Sequence, residues 1–279
     1  MKQTTKQAYG SAHQVQARKM MKNTDSKPAL PVALVTGASD RIGASIAKTL
    51  ATAGYAVLVH YRSDCAGAEG VRDAICGLGG KAAIIGADLE QRSERASLIA
   101  RAAELFGPLS VLVNNASTFQ PDSARDVDEQ LWNSHFAIHA EAPIFLARDF
   151  AAQLPTGVDG NIINIVDERV LHPSPAYFSY NLSKSVLWTA TRTLAQSLAP
   201  NIRVNAIGPG PVLPHARQDQ ATFDAQVRAL PLQRNANPED IAAGVLMLLK
   251  TRSMTGQMLA LDGGQHLEYP ARRAPTPRS

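Results

Sequence analysis

The chain has 279 residues, of which 45% are hydrophobic and 19% charged, a globular composition that excludes wholesale disorder. No apolar run reaches the roughly 18 residues of a bilayer span and no basic start leads into an apolar export segment. Two cysteines, Cys65 and Cys76, are too few for a disulfide framework and do not form a close metal-type pair, so a cytoplasmic location and no bound metal are expected. The formal net charge of +4 invites a nucleic-acid reading until it is located: residues 1–30 carry +5 and residues 270–279 carry +3, which leaves 31–269 at −4. The basic residues of the ends are not interleaved with a series of aromatics, so 1–30 and 270–279 are expected to be disordered tails and neither a nucleic-acid nor a membrane partner is implied.

From residue 31 short β-rich runs alternate with longer amphipathic stretches. Strands are predicted near 32–36, 56–61, 82–86, 110–114, 161–166, 202–206 and 257–260, and helices near 41–53, 66–78, 91–106, 128–152, 176–199 and 238–250. Alternation of this kind implies βαβ units, and therefore a single α/β domain over 31–269: a Rossmann fold with a doubly wound parallel sheet of about seven strands and helices on both faces. The proline-rich segment 208–236 has no predicted element and reads as a substrate loop.

The first strand runs into Thr36-Gly37-Ala38-Ser39-Asp40-Arg41-Ile42-Gly43. Gly37 permits a tight turn, Gly43 permits close packing of the next helix, and that helix offers free N–H groups to a pyrophosphate. An ordinary strand-to-helix turn would look similar, and Arg41 stands where a third glycine is expected. The second strand ends in His60-Tyr61-Arg62-Ser63 and lacks the acidic residue that binds the ribose of NAD. Arg62 and Ser63 suit the 2′-phosphate of NADP; an exposed loop arginine is the alternative, and Asp64 dissents. Farther on, Tyr180 and Lys184 are four apart and share a helix face, where the ammonium is expected to lower the tyrosine pKa and assist acid catalysis.

With Asp88-Leu89, Asn114-Asn115-Ala116, Tyr180/Lys184, Asn205, Gly208-Pro209-Gly210 and Asp262-Gly263-Gly264 in order, residues 31–267 resemble the short-chain dehydrogenase/reductase family. The resemblance implies hydride transfer with a nicotinamide cofactor, Tyr180 as acid, Lys184 on the nicotinamide ribose, Asp88 near the adenine, and a homotetramer. It implies cofactor contacts from Gly37, Arg41, Ile42, His60, Tyr61, Arg62, Ser63, Asp88, Leu89, Asn115, Ala116, Ser117, Lys184, Pro209 and Gly210.

Departures from the family pattern narrow the activity. Thirteen residues before Tyr180, where most members carry serine, stands Asp167, and Asn-Asn-Ala is followed by Ser117 and Phe119. With Arg41, this set resembles the pteridine reductases and the alternative dihydrofolate or dihydromonapterin reductases. That resemblance implies that Arg41 and Ser117 contact cofactor phosphate and substrate, that Phe119 stacks on the pterin, and that Asp167 supports protonation through Tyr180 or a water. Independently, reduction of a ring C=N bond needs a proton on nitrogen, which a buried carboxyl beside Tyr180 can help supply. Asp167 could instead cap a helix or pair with Arg169, and Phe119 could be a core aromatic. An ordinary 3-oxoacyl or sugar carbonyl reductase and a non-catalytic NADP-binding module remain alternatives. His139 stands where the family has asparagine, with His135 one turn earlier; a water-holding or structural role, and pH-dependent activity, are expected of it.

Overall fold

The computed structural model describes residues 30–215 and 218–267. The tail assignments for 1–29 and 270–279 lie outside the described residues. Seven strands are β1 Val32–Val35, β2 Ala56–Tyr61, β3 Lys81–Gly86, β4 Leu109–Asn114, β5 Gly160–Ile165, β6 Ile202–Pro209 and β7 Met258–Leu261. The helices are α1 Arg41–Thr52, α2 Cys65–Gly77, α3 Arg92–Phe106, α4 Glu129–Phe136, α5 Ala142–Gln153, α6 Phe178–Ser197, α7 Gln220–Ala229 and α8 Pro238–Lys250.

All strands are parallel, in the order β3-β2-β1-β4-β5-β6-β7. The chain builds outward from β1 to β3, then crosses back to place β4 beside β1, so the switch point lies between those two strands. Their carboxyl ends open a crevice there, the usual ligand position of a doubly wound sheet.

Both faces of the sheet are covered, which explains why the inner strands read as continuous apolar runs such as Val32-Ala33-Leu34-Val35. Alternation within the run divides it: Ala33 and Val35 join the core beneath α1, α2 and α8, whereas Val32 and Leu34 join the core beneath α3, α5 and α6. Leu34 has no exposed surface, and truncation to alanine there is expected to cost about 2–5 kcal/mol.

Two expectations need correction. The helix predicted over 128–152 is broken by a π turn at Ala137–Glu141. Pro143 has no N–H to give the His139 carbonyl, and the ladder shifts so that the Ala142 N–H reaches the Ala137 carbonyl. Within 208–236, β6 extends to Pro209 and α7 occupies Gln220–Ala229, where no element was expected. Asp219 caps α7 by accepting from the Thr222 N–H at 2.8 Å, and Phe223 buries its ring.

Candidate active site

The turn after β1 is held by neighbours from three segments. Gly37 has a left-handed φ of 60°, and a Cβ there would stand 2.9 Å from the Ala116 Cα, so glycine is required on both counts. Thr36 Oγ1 accepts from the main-chain N–H groups of Asn115 and Ala116 at 2.9 and 3.0 Å. Asn115 Nδ2 donates to the carbonyls of Thr36 and Gly37 at 2.9 and 2.8 Å.

His60 completes the brace. Its Nδ1 accepts from the Gly37 N–H at 3.1 Å, which fixes the proton on Nε2, and Nε2–H donates to the Ala87 carbonyl at 3.0 Å. Burial lowers its pKa to about 4, so the ring is neutral at ordinary pH. His60 lines the cleft, but both ring nitrogens serve the main chain.

That cleft has a volume of about 490 Å³. Of the expected cofactor contacts, Gly37, Arg41, Ile42, His60, Tyr61, Arg62, Ser63, Asp88, Leu89, Asn115, Ala116 and Ser117 line it. Asp40, the N-cap of α1, makes no side-chain capping bond, and the first turn of α1 carries no acid, which leaves its amide donors for an anion. Asp64, the dissenting carboxylate, is engaged as the N-cap of α2, where it accepts from the Gly67 N–H at 2.9 Å. Arg62 is half-exposed at the rim and pairs with Glu90 at 3.4 Å, leaving further N–H donors free of that contact. Glycine turn, orphan amides and Arg62 together fit a dinucleotide that carries a pyrophosphate and a ribose phosphate.

A second cavity of about 260 Å³ adjoins the first and shares Arg41, Ile42, Asn115 and Ser117 with it. Lys184, Pro209 and Gly210, the other expected cofactor contacts, line this cavity, as do Phe119, Asp167 and Tyr180. Tyr180 Oη donates to Asp167 Oδ2 at 2.8 Å. Asp167 also caps the short turn that follows β5, accepting from the Arg169 N–H at 2.9 Å, and its Oδ2 lies 3.6 Å from the Arg169 guanidinium. Capping, ion pairing and the tyrosine contact therefore coexist on one carboxylate.

The expectation that Lys184 lowers the Tyr180 pKa is reversed. Burial, followed by the Asp167 charge and the hydrogen bond to it, holds the phenol protonated well above its usual range. Lys184 Nζ donates to the Ile165 carbonyl at 2.8 Å, and burial lowers its pKa to about 8. The lysine sits 5.8 Å from the Tyr180 ring centroid, whereas the carboxylate touches the hydroxyl, so the nearer charge decides.

Sequence reasoning missed several neighbours. Tyr177 adopts a left-handed φ of 61° just before α6 and stacks on Phe119 with centroids 4.3 Å apart and planes 15° off parallel. Nothing in the local sequence announces that backbone state. Arg41 also has a positive φ, 49°, and its guanidinium donates to the carbonyls of Pro214 and Leu213 at 3.1 and 3.3 Å, tying α1 to the segment before α7. The histidines are buried: His135 Nδ1 contacts Ser179 Oγ at 2.7 Å, and His139 contacts Ser183, Ser117 and Thr118. Burial, then Lys184 and His135, depress the His139 pKa well below its ordinary value.

The family model described as enoyl-(acyl carrier protein) reductase, of the short-chain dehydrogenase/reductase type, matches residues 37–266. The chain belongs to the short-chain dehydrogenase/reductase family. This family member is an oxidoreductase, and it is similar to FolM alternative dihydrofolate reductase 1 from Brucella canis, solved in complex with NADP. The two are 45% identical with a TM-score of 0.85, over 88% of this chain and 98% of that one. It is also similar to an uncharacterised oxidoreductase of Methylorubrum extorquens, 37% identical over 84% of this chain and 96% of the relative. Pteridine reductase 1 of Leishmania tarentolae is 33% identical over 87% of this chain and 98% of its own length. Among the described residues, no helix of this short-chain reductase is long and apolar enough to cross a membrane.

Proposed function

We propose that the chain is an NADPH-dependent reductase of dihydropterins or dihydrofolate. The observation that carries this reading is the 2.8 Å Tyr180–Asp167 hydrogen bond in a cavity that also presents the Phe119 ring. The activity for which the Brucella relative is named, its bound NADP and the pteridine reductase likeness support it.

NADPH, when bound, supplies a hydride. The chain's own task is to hold a planar ring and deliver one proton to the nitrogen of the C=N bond whose carbon is reduced. Phe119, steadied by the Tyr177 stack, offers an aromatic surface to such a ring. Tyr180 keeps its proton because burial and Asp167 oppose the phenolate, and that proton leaves its hydrogen bond to Asp167 when the ring nitrogen accepts it. Once the phenol has given up that proton, Lys184 and Arg169 supply the nearby positive charge that offsets the gain. Asp167 holds the hydroxyl at its working position. Arg62 and Ser63 at the rim would receive the 2′-phosphate.

The test is turnover of dihydrobiopterin, dihydromonapterin and dihydrofolate with NADPH, set against 3-oxoacyl and sugar carbonyl substrates. Turnover confined to carbonyls would select the ordinary carbonyl reductase reading, in which Tyr180 protonates oxygen. Assembly as a homotetramer belongs to the same proposal and is checked by light scattering.

A further inference from the structure

The hydrogen bonds around His139 determine which way a nearby hydroxyl points. His139 is 1% exposed, on the inner side of the π turn. Its Nε2 lies 3.2 Å from the main-chain nitrogen of Thr118, a group that can only donate, so Nε2 carries no proton. The ring proton is therefore on Nδ1, which donates to Ser183 Oγ at 2.9 Å, while Ser183 in turn donates to the Tyr180 carbonyl at 2.8 Å. The desolvation of this buried ring favours the same neutral form.

Ser117 Oγ stands 2.9 Å from that bare Nε2, and its other near protein partner is the Thr118 carbonyl at 3.4 Å. Both are acceptors. The shorter contact, to the buried His139 ring, takes the one hydroxyl proton of Ser117 inward, which leaves the oxygen's lone pairs for the cavities that it lines. A phosphate oxygen or a ketone has only lone pairs to meet it. An N–H or amino group on a heterocyclic ring edge is complementary.

We propose that His139 is a positioning residue that fixes Ser117 as a hydrogen-bond acceptor, so that the site selects a substrate ring edge bearing an N–H or amino donor. This inference deepens the pterin reading and rests on it for the identity of the ring.

The experiment compares a dihydropterin with its 2-deamino analogue, using NADPH, in the wild type and in His139→Leu, His139→Gln and Ser117→Ala. The wild type should prefer the amino substrate by about tenfold, expressed in KM. His139→Leu and Ser117→Ala should lose that preference. His139→Gln, whose amide oxygen can replace Nε2 as acceptor, should retain it. Direct titration of NADPH separates the two possible partners of Ser117: a tenfold loss of affinity in Ser117→Ala would overturn the inference in favour of a cofactor contact, and a loss confined to the amino substrate supports it. Long-range nitrogen–proton NMR on the wild type reads the tautomer without any substrate. A protonated Nε2 would overturn the inference, as would undiminished preference in a folded His139→Leu. A bare Nε2 in a protein that turns over no dihydropterin would support the His139 geometry and overturn the pterin reading alone.

Discussion

The cleft above the glycine turn and the cavity beside it meet at Arg41, Ile42, Asn115 and Ser117, yet they are built from different material. In the cleft, the polar side chains of Thr36, His60 and Asn115 hold main chain, so much of what is left to meet a ligand there is backbone amide. In the cavity, the groups proposed to work are side chains from three segments: Phe119, Asp167, and Tyr180 with Lys184 on α6. A site of braced backbone should fail through loss of shape and stability. A site of converging side chains should fail through loss of chemistry while the fold and the neighbouring site persist.

The largest effect is expected from Tyr180→Phe, which removes the proton-bearing atom and leaves the cleft intact. Turnover should fall roughly a thousandfold, with NADPH affinity unchanged by titration. A parallel loss of affinity would show that the two cavities are not separable.

On the cleft side, His60 offers a complementary test. Its folded pKa of about 4 lies below the ordinary 6.5, so between these values the unfolded chain binds a proton that the folded chain does not. The stabilisation is fully present above pH 6.5 and is lost as pH falls toward 4, by roughly 3 kcal/mol in all. Urea unfolding across this window should show a flatter pH slope in His60→Gln than in the wild type. Equal slopes would remove His60 from the brace.

Asp167→Ser restores the common family residue and should slow dihydropterin reduction on the order of a hundredfold, with a changed pH–rate profile and little change in NADPH binding. Wild-type turnover in this variant would remove the main reason for preferring pterins over ketones. The smallest effect is expected at the rim: Arg62→Ala should weaken NADPH about tenfold and NADH much less, as read by fluorescence titration of both. Equal losses would defeat the phosphate assignment.

What the sequence determined by itself was whatever depends on short-range repetition. Seven strands, the turn at Gly37, the shared helix face of Tyr180 and Lys184, and Asp167 at the end of β5 were all legible, because main-chain hydrogen bonding and burial impose periods visible within a few residues. Two local signals were present and passed over. Pro143 forbids an unbroken helix through His139, and Asp219 followed by Thr222 marks the start of α7. The tertiary structure alone decided the chemistry of those side chains. Tyr180 is held protonated by burial and by a carboxylate 13 residues away in sequence, Ser117 Oγ contacts a histidine 22 residues away, and Arg41 reaches carbonyls 172 and 173 residues away. A pKa and the direction of a hydrogen bond depend on the nearest charges, donors and acceptors in space and on exclusion of water. Those neighbours are chosen by how the sheet and its loops pack.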